Sequence, residues 1–272
     1  MSKLSILLIG DTNRSEFRDA RASLDSLGRV AHLPDTEAAA AALGGGEHTP
    51  DAIVIAQAYP SQFSHRGVDR LRRLAPLARI LGLMGSWCEG EMRTGKPWPG
   101  VIRVYWHQWR ARCHQQFGHM IRGESSAWAL PVTATEEERL LAASDDALTR
   151  RQGLIAIYTR LFEMEDWLSA ACRSIGCSTV WLRPPRAARV EGATAAMFDG
   201  SGLQGDNRDE LAHLCTTLRP APVIAIVDFP RIEDHRRAMD AGAAAVVSKP
   251  LHVEDLFWEL DRVLDAAAPR SA

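Results

Sequence analysis

Four sets of residues in this chain have the types and spacing to do chemistry. The first is Ser248-Lys249-Pro250, which closes the apolar run ending in Ala245-Val246-Val247. An amine leaving a buried strand at its carboxyl end stands at the edge where open α/β sheets hold ligands. The second is Gly90-Glu91-Met92-Arg93-Thr94-Gly95-Lys96, the first seven positions of a G-x-x-x-x-G-K phosphate loop. The hydroxyl such a loop offers to Mg²⁺ is replaced by Pro97, and no helix follows to turn its N-terminus toward phosphates, so a nucleotide loop is excluded. The third is Cys88 with His107, Cys113 and His114, thiols and imidazoles able to hold zinc or to pair as nucleophile and base. They lack the paired C-x-x-C or H-x-x-x-H spacing of a zinc site, and a cysteine beside tryptophan is more often packing. The fourth interleaves Tyr105, Trp106 and Trp109 with Arg110 and Arg112, as binders of single-stranded nucleic acid do. A formal net charge of −2 and the lack of a basic helix-turn-helix argue against a nucleic-acid partner.

The elements that must position these groups alternate. The stretch PVIAIVDFPRIEDHRRAMDAGAAAVVSKP, residues 222–250, reads as apolar strand, polar helix, apolar strand. The run PVIAIV is too continuous for a half-exposed strand and suits a parallel strand buried on both faces. Gly242 sits where a helix C-terminus needs a left-handed residue. Upstream, strands are expected at 154–158, 178–182 and 194–198, with helices at 162–175, 207–218, 231–241 and 253–266. The first half repeats the scheme with strands at the start, at RVAHLP, 51–56, 79–84 and 101–106. Its helices are expected at Glu16–Leu27, 35–43 (with Asp35 as N-cap) and 66–75. Alternation of this kind calls for a parallel sheet with helices on both faces. With 272 residues, two domains are expected: 1–122 and 153–272. Between them, 123–152 reads as a linker in which Thr135 and Glu138 form a capping box for the acidic helix EEERLLAASDDAL; an extra helix packed on the first domain is the competing reading. Composition is that of an ordinary globular chain, 46% apolar and 24% charged. No apolar run reaches the length of a membrane span, and the start reads as a first strand rather than a signal peptide. Five cysteines, an odd number, suggest reduced thiols and a cytoplasmic setting, with no membrane partner.

The order of elements in 222–250, closed by Lys249-Pro250, resembles the last third of a bacterial response-regulator receiver domain. The resemblance implies two flavodoxin-like, doubly wound, five-stranded parallel sheets in tandem. In the second, Asp199 falls on the family's phosphoacceptor position and Lys249 and Pro250 on its Lys-Pro, whose bond is usually cis. The family holds Mg²⁺ with the phosphoacceptor and an acidic pair after strand one, and closes a Ser or Thr after strand four onto the phosphate. Here Thr159-Arg160 replace the acidic pair, and Val227 followed by Asp228 stands at the hydroxyl position. A hard cation needs several oxygen ligands, so a structural Asp199–Lys249 or Asp199–Arg160 pair competes with a live phosphoacceptor. No cofactor is expected, and Mg²⁺ only if Asp199 is phosphorylated. The first domain departs further: Asp11 is kept with Gly10 beside it, Ala56 replaces the phosphoacceptor, Ser86 could supply the hydroxyl, and Trp106-His107 stand where Lys-Pro would be. It resembles a pseudo-receiver.

The segment SWCEGEMRTGKPWPG, residues 86–100, stands where a receiver places its fourth helix. Its prolines and glycines exclude a helix across most of it, and a loop of this length inside a compact domain is more often functional or self-packed than idle. One reading makes it a recognition surface, with Trp87 and Trp98 as anchors amid Glu89, Glu91, Arg93 and Lys96. The other folds both tryptophans inward as a self-packed Ω-loop. The functional expectation is a non-enzymatic signalling protein that binds a protein partner: a kinase, another regulator or a second copy. A stand-alone response regulator phosphorylated on Asp199 is the first alternative. An enzyme or small-ligand binder at the 86–107 edge is the second.

Overall fold

The computed structural model of the protein describes residues 3–131, 133–144, 149–185 and 187–267. The chain divides into two compact units, Met1–Asp146 and Ala147–Ala272. In the first unit the order is β1 (Leu4–Ile9), α1 (Arg18–Leu27), β2 (Gly28–Leu33), α2 (Thr36–Gly44), β3 (Ala52–Gln57), α3 (His65–Leu74) and β4 (Arg79–Met84). Then come a 3-10 turn (Ser86–Cys88), a four-residue α4 (Glu91–Thr94), β5 (Ile102–Tyr105), α5 (Trp106–Arg122) and, after a turn at Ala127–Ala129, α6 (Glu136–Ser144). The second unit runs β6 (Leu154–Tyr158), α7 (Phe162–Ser174), β7 (Ser178–Leu182), β8 (Ala193–Gly200), α8 (Asp206–Thr217), β9 (Val223–Asp228), α9 (Ile232–Asp240), β10 (Ala245–Lys249) and α10 (Val253–Ala267).

Each unit carries one all-parallel sheet. The first has the order β2-β1-β3-β4-β5 and the second β7-β6-β8-β9-β10, the flavodoxin-like 2-1-3-4-5 arrangement in both. The apolar runs explain why. Every residue of β3, and all of β9 up to its terminal Asp228, is buried, as strands covered on both faces must be. In the second unit one core lies on each face: Leu211, Leu214 and Ala238 pack on one side, Leu168, Leu256 and Leu260 on the other. Strand order reverses between β1 and β3, and between β6 and β8, so the carboxyl ends of those strands frame the crevice where such sheets place their sites.

Local signals behave as their chemistry predicts. Asp35 caps α2 by accepting a hydrogen bond from the amide of Ala38 at 2.8 Å. Thr135 Oγ1 accepts from the amide of Glu138, and Glu138 Oε2 from the amide of Thr135, closing the reciprocal box at the start of α6. The expected acidic helix continues over residues 145–148, which lie outside the described residues. Arg139 on α6 donates to the carbonyls of Ala127 and Pro131 within the first unit. Gly242 has φ +100° just past α9, and a Cβ there would meet that of Cys215 at 3.2 Å, so glycine is required for the turn and for the close approach. Two expectations are corrected. The helix expected from Glu16 starts at Arg18, because residues 12–17 form turns that put Glu16 to another use. The segment 86–100 is not wholly irregular: the stretch between Gly90 and Gly95, free of proline, makes the single helical turn α4.

Candidate functional site

In the second unit β8 brings Asp199 to the carboxyl edge, with its side chain only 6% exposed. Both of its oxygens are engaged. Oδ1 accepts from Lys249 Nζ at 2.8 Å, and Oδ2 from Thr159 Oγ1 at 2.6 Å. Lys249 Nζ also lies 2.6 Å from Asp228 Oδ1. Burial alone would lower the Lys249 pKa, but hydrogen bonds to Asp199 and Asp228 and their charges outweigh it, so the net direction is up. The Lys249–Pro250 bond is cis, and Phe229, with φ +39°, donates its amide to the Lys249 carbonyl. Thr159 is itself fixed: its Oγ1 accepts from the amide of Leu161, and its carbonyl accepts from Trp181 Nε1 at 3.0 Å.

Arg160 does not join this group. Its guanidinium is bound by both oxygens of Glu210, at 2.9 and 2.5 Å, so the Asp199–Arg160 pair weighed from the sequence is not formed. The bidentate geometry available on α8 outcompetes a single buried carboxylate oxygen. Burial first, and then the charge of Glu210, raises the phenol of Tyr158 to about 12.

This donor set does not fit Mg²⁺. One oxygen of Asp199 faces an ammonium and the other a hydroxyl that donates into it. The neighbours that a hard cation would need are Thr159 and Arg160 rather than carboxylates. Among the described residues there is no group of three or more His, Cys, Asp or Glu able to hold a metal.

Sheet register identifies the matching places in the first unit. Ile9 pairs with Ile55 as Tyr158 pairs with Phe198, so Gly10-Asp11 correspond to Thr159-Arg160 and Ala56 to Asp199. Tyr105 pairs with Met84 as Ser248 pairs with Val227, so Trp106 corresponds to Lys249. Asp11 is exposed and accepts from the nearby amide of Asn13. Gly10 has φ +107°, and a Cβ on it would stand 2.8 Å from the Ala56 carbonyl oxygen, so no side chain fits there.

An acid that the sequence did not single out sits at this edge. Glu16, in the turns before α1, is buried. Its Oε2 accepts from the Ser86 amide at 3.0 Å and from Ser86 Oγ at 2.9 Å, while Oε1 takes the Arg14 Nε at 3.2 Å. Gly85 leaves room for it: a Cβ there would lie 2.7 Å from Glu16 Oε1 and 3.0 Å from the Ala58 backbone.

The 86–100 segment combines the two readings of its tryptophans. Trp98 is 5% exposed, packs into the core of the first unit and donates Nε1 to the Phe63 carbonyl. Trp87 is 67% exposed. Glu91, expected among the exposed charges, is instead buried. Arg103 Nη2 donates to it at 2.6 Å and Gln57 Nε2 at 3.3 Å, and the desolvated carboxylate requires both. Glu89 lies 3.2 Å from His107 Nε2. Arg93 and Lys96 are exposed, and the Lys96 carbonyl meets His65 Nε2 at 2.8 Å. Cys88 lies beside Gln57, its thiol raised to about 11 chiefly by burial, and Cys113 is buried and pushed up further. Cys88 faces the Gln57 carbonyl and His107 Nε2 faces Glu89, so the Cys88–His107 pair is not formed.

Strand order in both units, with the acid–lysine pair and cis Lys-Pro in the second, makes this a tandem of receiver-like folds. No protein-family model and no curated protein matches the sequence. Among solved structures, the chain is similar to a response regulator receiver protein from Pseudoalteromonas atlantica, at 17% identity over 42% of this chain and 98% of that one, TM-score 0.36. It is likewise similar to a CheY-like receiver domain protein from Methanospirillum hungatei JF-1, at 20% identity over 43% and 97%, TM-score 0.37. A Francisella response regulator receiver domain aligns at 11% identity over 42% and 98%, TM-score 0.35.

Proposed function

We propose that this is a non-enzymatic signalling protein of the response-regulator type, working through contact with a protein partner rather than through a phosphoryl group. One observation carries the reading: both oxygens of Asp199 are already committed to Lys249 and Thr159, with no acidic pair beside them. A nucleophilic carboxylate in phosphoryl transfer needs a cation to neutralise the incoming charge, and Thr159 and Arg160 stand where the acidic ligands for it would be. The first unit has no carboxylate at the position matching Asp199, since Ala56 holds it. Contact with the partner is assigned to the 86–100 segment. Its base is fixed by Glu91 on Arg103 and by Trp98, while Trp87 stands in solvent with Arg93 and Lys96 nearby in sequence. An exposed tryptophan on a rigid frame offers large contact area at low entropic cost. The partner is a kinase, another regulator or a second copy of the chain. Catalysis at the 86–107 edge is disfavoured because the buried Cys88 thiol is far from its thiolate at neutral pH. Among the described residues no helix is long and apolar enough to cross a membrane. The five cysteines are all free and buried, in keeping with a reducing, cytoplasmic setting.

Beryllofluoride, which mimics an aspartyl phosphate, separates this reading from a live receiver. Amide NMR shifts are followed during titration with and without Mg²⁺, on wild type and Asp199→Ala. No Mg²⁺-dependent response is expected in either protein. A response in wild type that Asp199→Ala abolishes would make Asp199 a phosphoacceptor and overturn the proposal.

A further inference from the structure

The Glu16 carboxylate is set into the first unit as a ligand would be. It comes from a turn, not from the strands that build the edge, and reaches the ends of β3 and β4 across 70 residues of sequence. Four features converge on it. The Ser86 amide and hydroxyl both donate to one oxygen, and Arg14 binds the other. The fourth feature is the missing side chain at Gly85, whose Cβ would fall 2.7 Å from the carboxylate. Two donors on one oxygen, a guanidinium on the second and a cleared wall describe a pocket for a small oxyanion at the carboxyl edge of an open parallel sheet. The pocket is filled by the chain itself.

We propose that Glu16 is a built-in anionic ligand of the first unit, and that it fixes the start of the 86–100 segment and with it the exposed setting of Trp87. Ser86 precedes Trp87 directly, and the turn closed by Cys88 N on the Gly85 carbonyl at 2.9 Å ties both to the same backbone. Holding Ser86 therefore holds the backbone that presents Trp87. Emptied of Glu16, the site takes a small external oxyanion of the carboxylate or phosphate class. This proposal does not involve Asp199, so its failure leaves the test by beryllofluoride untouched.

Glu16→Ala in the full chain opens the pocket. Amide hydrogen exchange and the amide shift of Ser86 are then followed with acetate, with inorganic phosphate and with uncharged acetamide as control. Exchange at Ser86 is expected to rise by about tenfold, the order of a lost charge-assisted hydrogen bond. Acetate or phosphate should reverse the change in a saturable manner, acetamide should not, and wild type should respond to none of them. Unchanged exchange in Glu16→Ala, or a change that neither anion reverses, overturns the proposal. Glu16→Gln guards against a folding defect. It keeps the size but not the charge, so Ser86 exchange should rise while added anions do nothing, since the pocket remains full. A Glu16→Gln protein indistinguishable from wild type at Ser86 also overturns it.

Discussion

The two carboxyl edges of this molecule solve one problem with opposite materials. In the second unit the acid is Asp199, carried by the central strand β8, and its cation is Lys249, carried by β10. In the first unit the central strand ends in Ala56-Gln57, the acid arrives from a turn as Glu16, and its partners are a serine and a half-exposed arginine. The same strand order leaves the same crevice, and backbone and polar groups gathered there must be satisfied from within if no ligand does so. Each unit has closed its edge internally. The lesson is that one strand order leaves the same edge to be satisfied in two ways: by an acid and a lysine on the strands themselves, or by an acid brought in on a turn.

The largest effect expected is at Lys249. Lys249→Ala leaves the buried Asp199 carboxylate with one hydroxyl and removes the ammonium beside the half-exposed Asp228, a loss of about 3 kcal/mol by the general cost of breaking a buried pair. Amide exchange in β8 and β10 measures it. The pH dependence has a definite sign. The folded Lys249 pKa is raised above its ordinary 10.5, so its stabilisation is complete below that value and is lost as pH rises through the higher folded value. Wild type should therefore lose stability in strongly alkaline solution, and Lys249→Gln should lose less of it over the same range. Equal alkaline slopes in the two proteins would mean that the pair is not what holds this edge. Glu16→Ala should cost less, about 1–2 kcal/mol, because its partners are a neutral serine and a solvated arginine.

Gly10→Asp presses the comparison from the other side. It would restore to the first unit the acidic pair that such a pocket needs, next to Asp11. With φ at +107° and the Ala56 oxygen 2.8 Å from any Cβ, the change should instead destabilise the β1–β3 region by about 2 kcal/mol. Added Mg²⁺ should recover none of it. A thermal shift on adding Mg²⁺ would mean that the first unit is closer to a metal site than its backbone suggests.

What could be read in the sequence divides along the same line. The strands were legible because runs such as PVIAIV and AIVIAQ are continuous and apolar, and a pattern of that kind has few other uses. Asp35, Gly242 and the Thr135–Glu138 box were legible because cap and partner lie within a few residues. Glu16 was not. It lies in Arg14-Ser15-Glu16-Phe17, ordinary turn or helix-start composition, and its partner is 70 positions away. The burial of Glu91 was hidden for the same reason: a charge between glycines reads as solvated until Arg103 and Gln57 arrive from other strands. Adjacency in the motif makes Arg160 one of two candidate partners for Asp199, whereas Glu210, 50 residues on, offers it the better fork.

The smallest effect on stability, and the one most telling for function, is expected at Trp87. Its side chain is largely in solvent, so Trp87→Ala should change the unfolding free energy by less than about 0.5 kcal/mol. Trp98→Ala, which empties part of the core and frees the Phe63 carbonyl, should cost about 3–5 kcal/mol. Together the two substitutions separate anchor from presented group on one short segment. Once a partner is in hand, calorimetric titration of Trp87→Ala should show affinity lost by tenfold or more, about the size of a hot-spot residue, with the fold intact. Unaltered affinity would move the contact surface away from the first unit's 86–100 segment. The next place to look would be the second unit, where Phe162 and Trp181 lie 6.1 Å apart and the Arg183 guanidinium sits 3.9 Å above the indole.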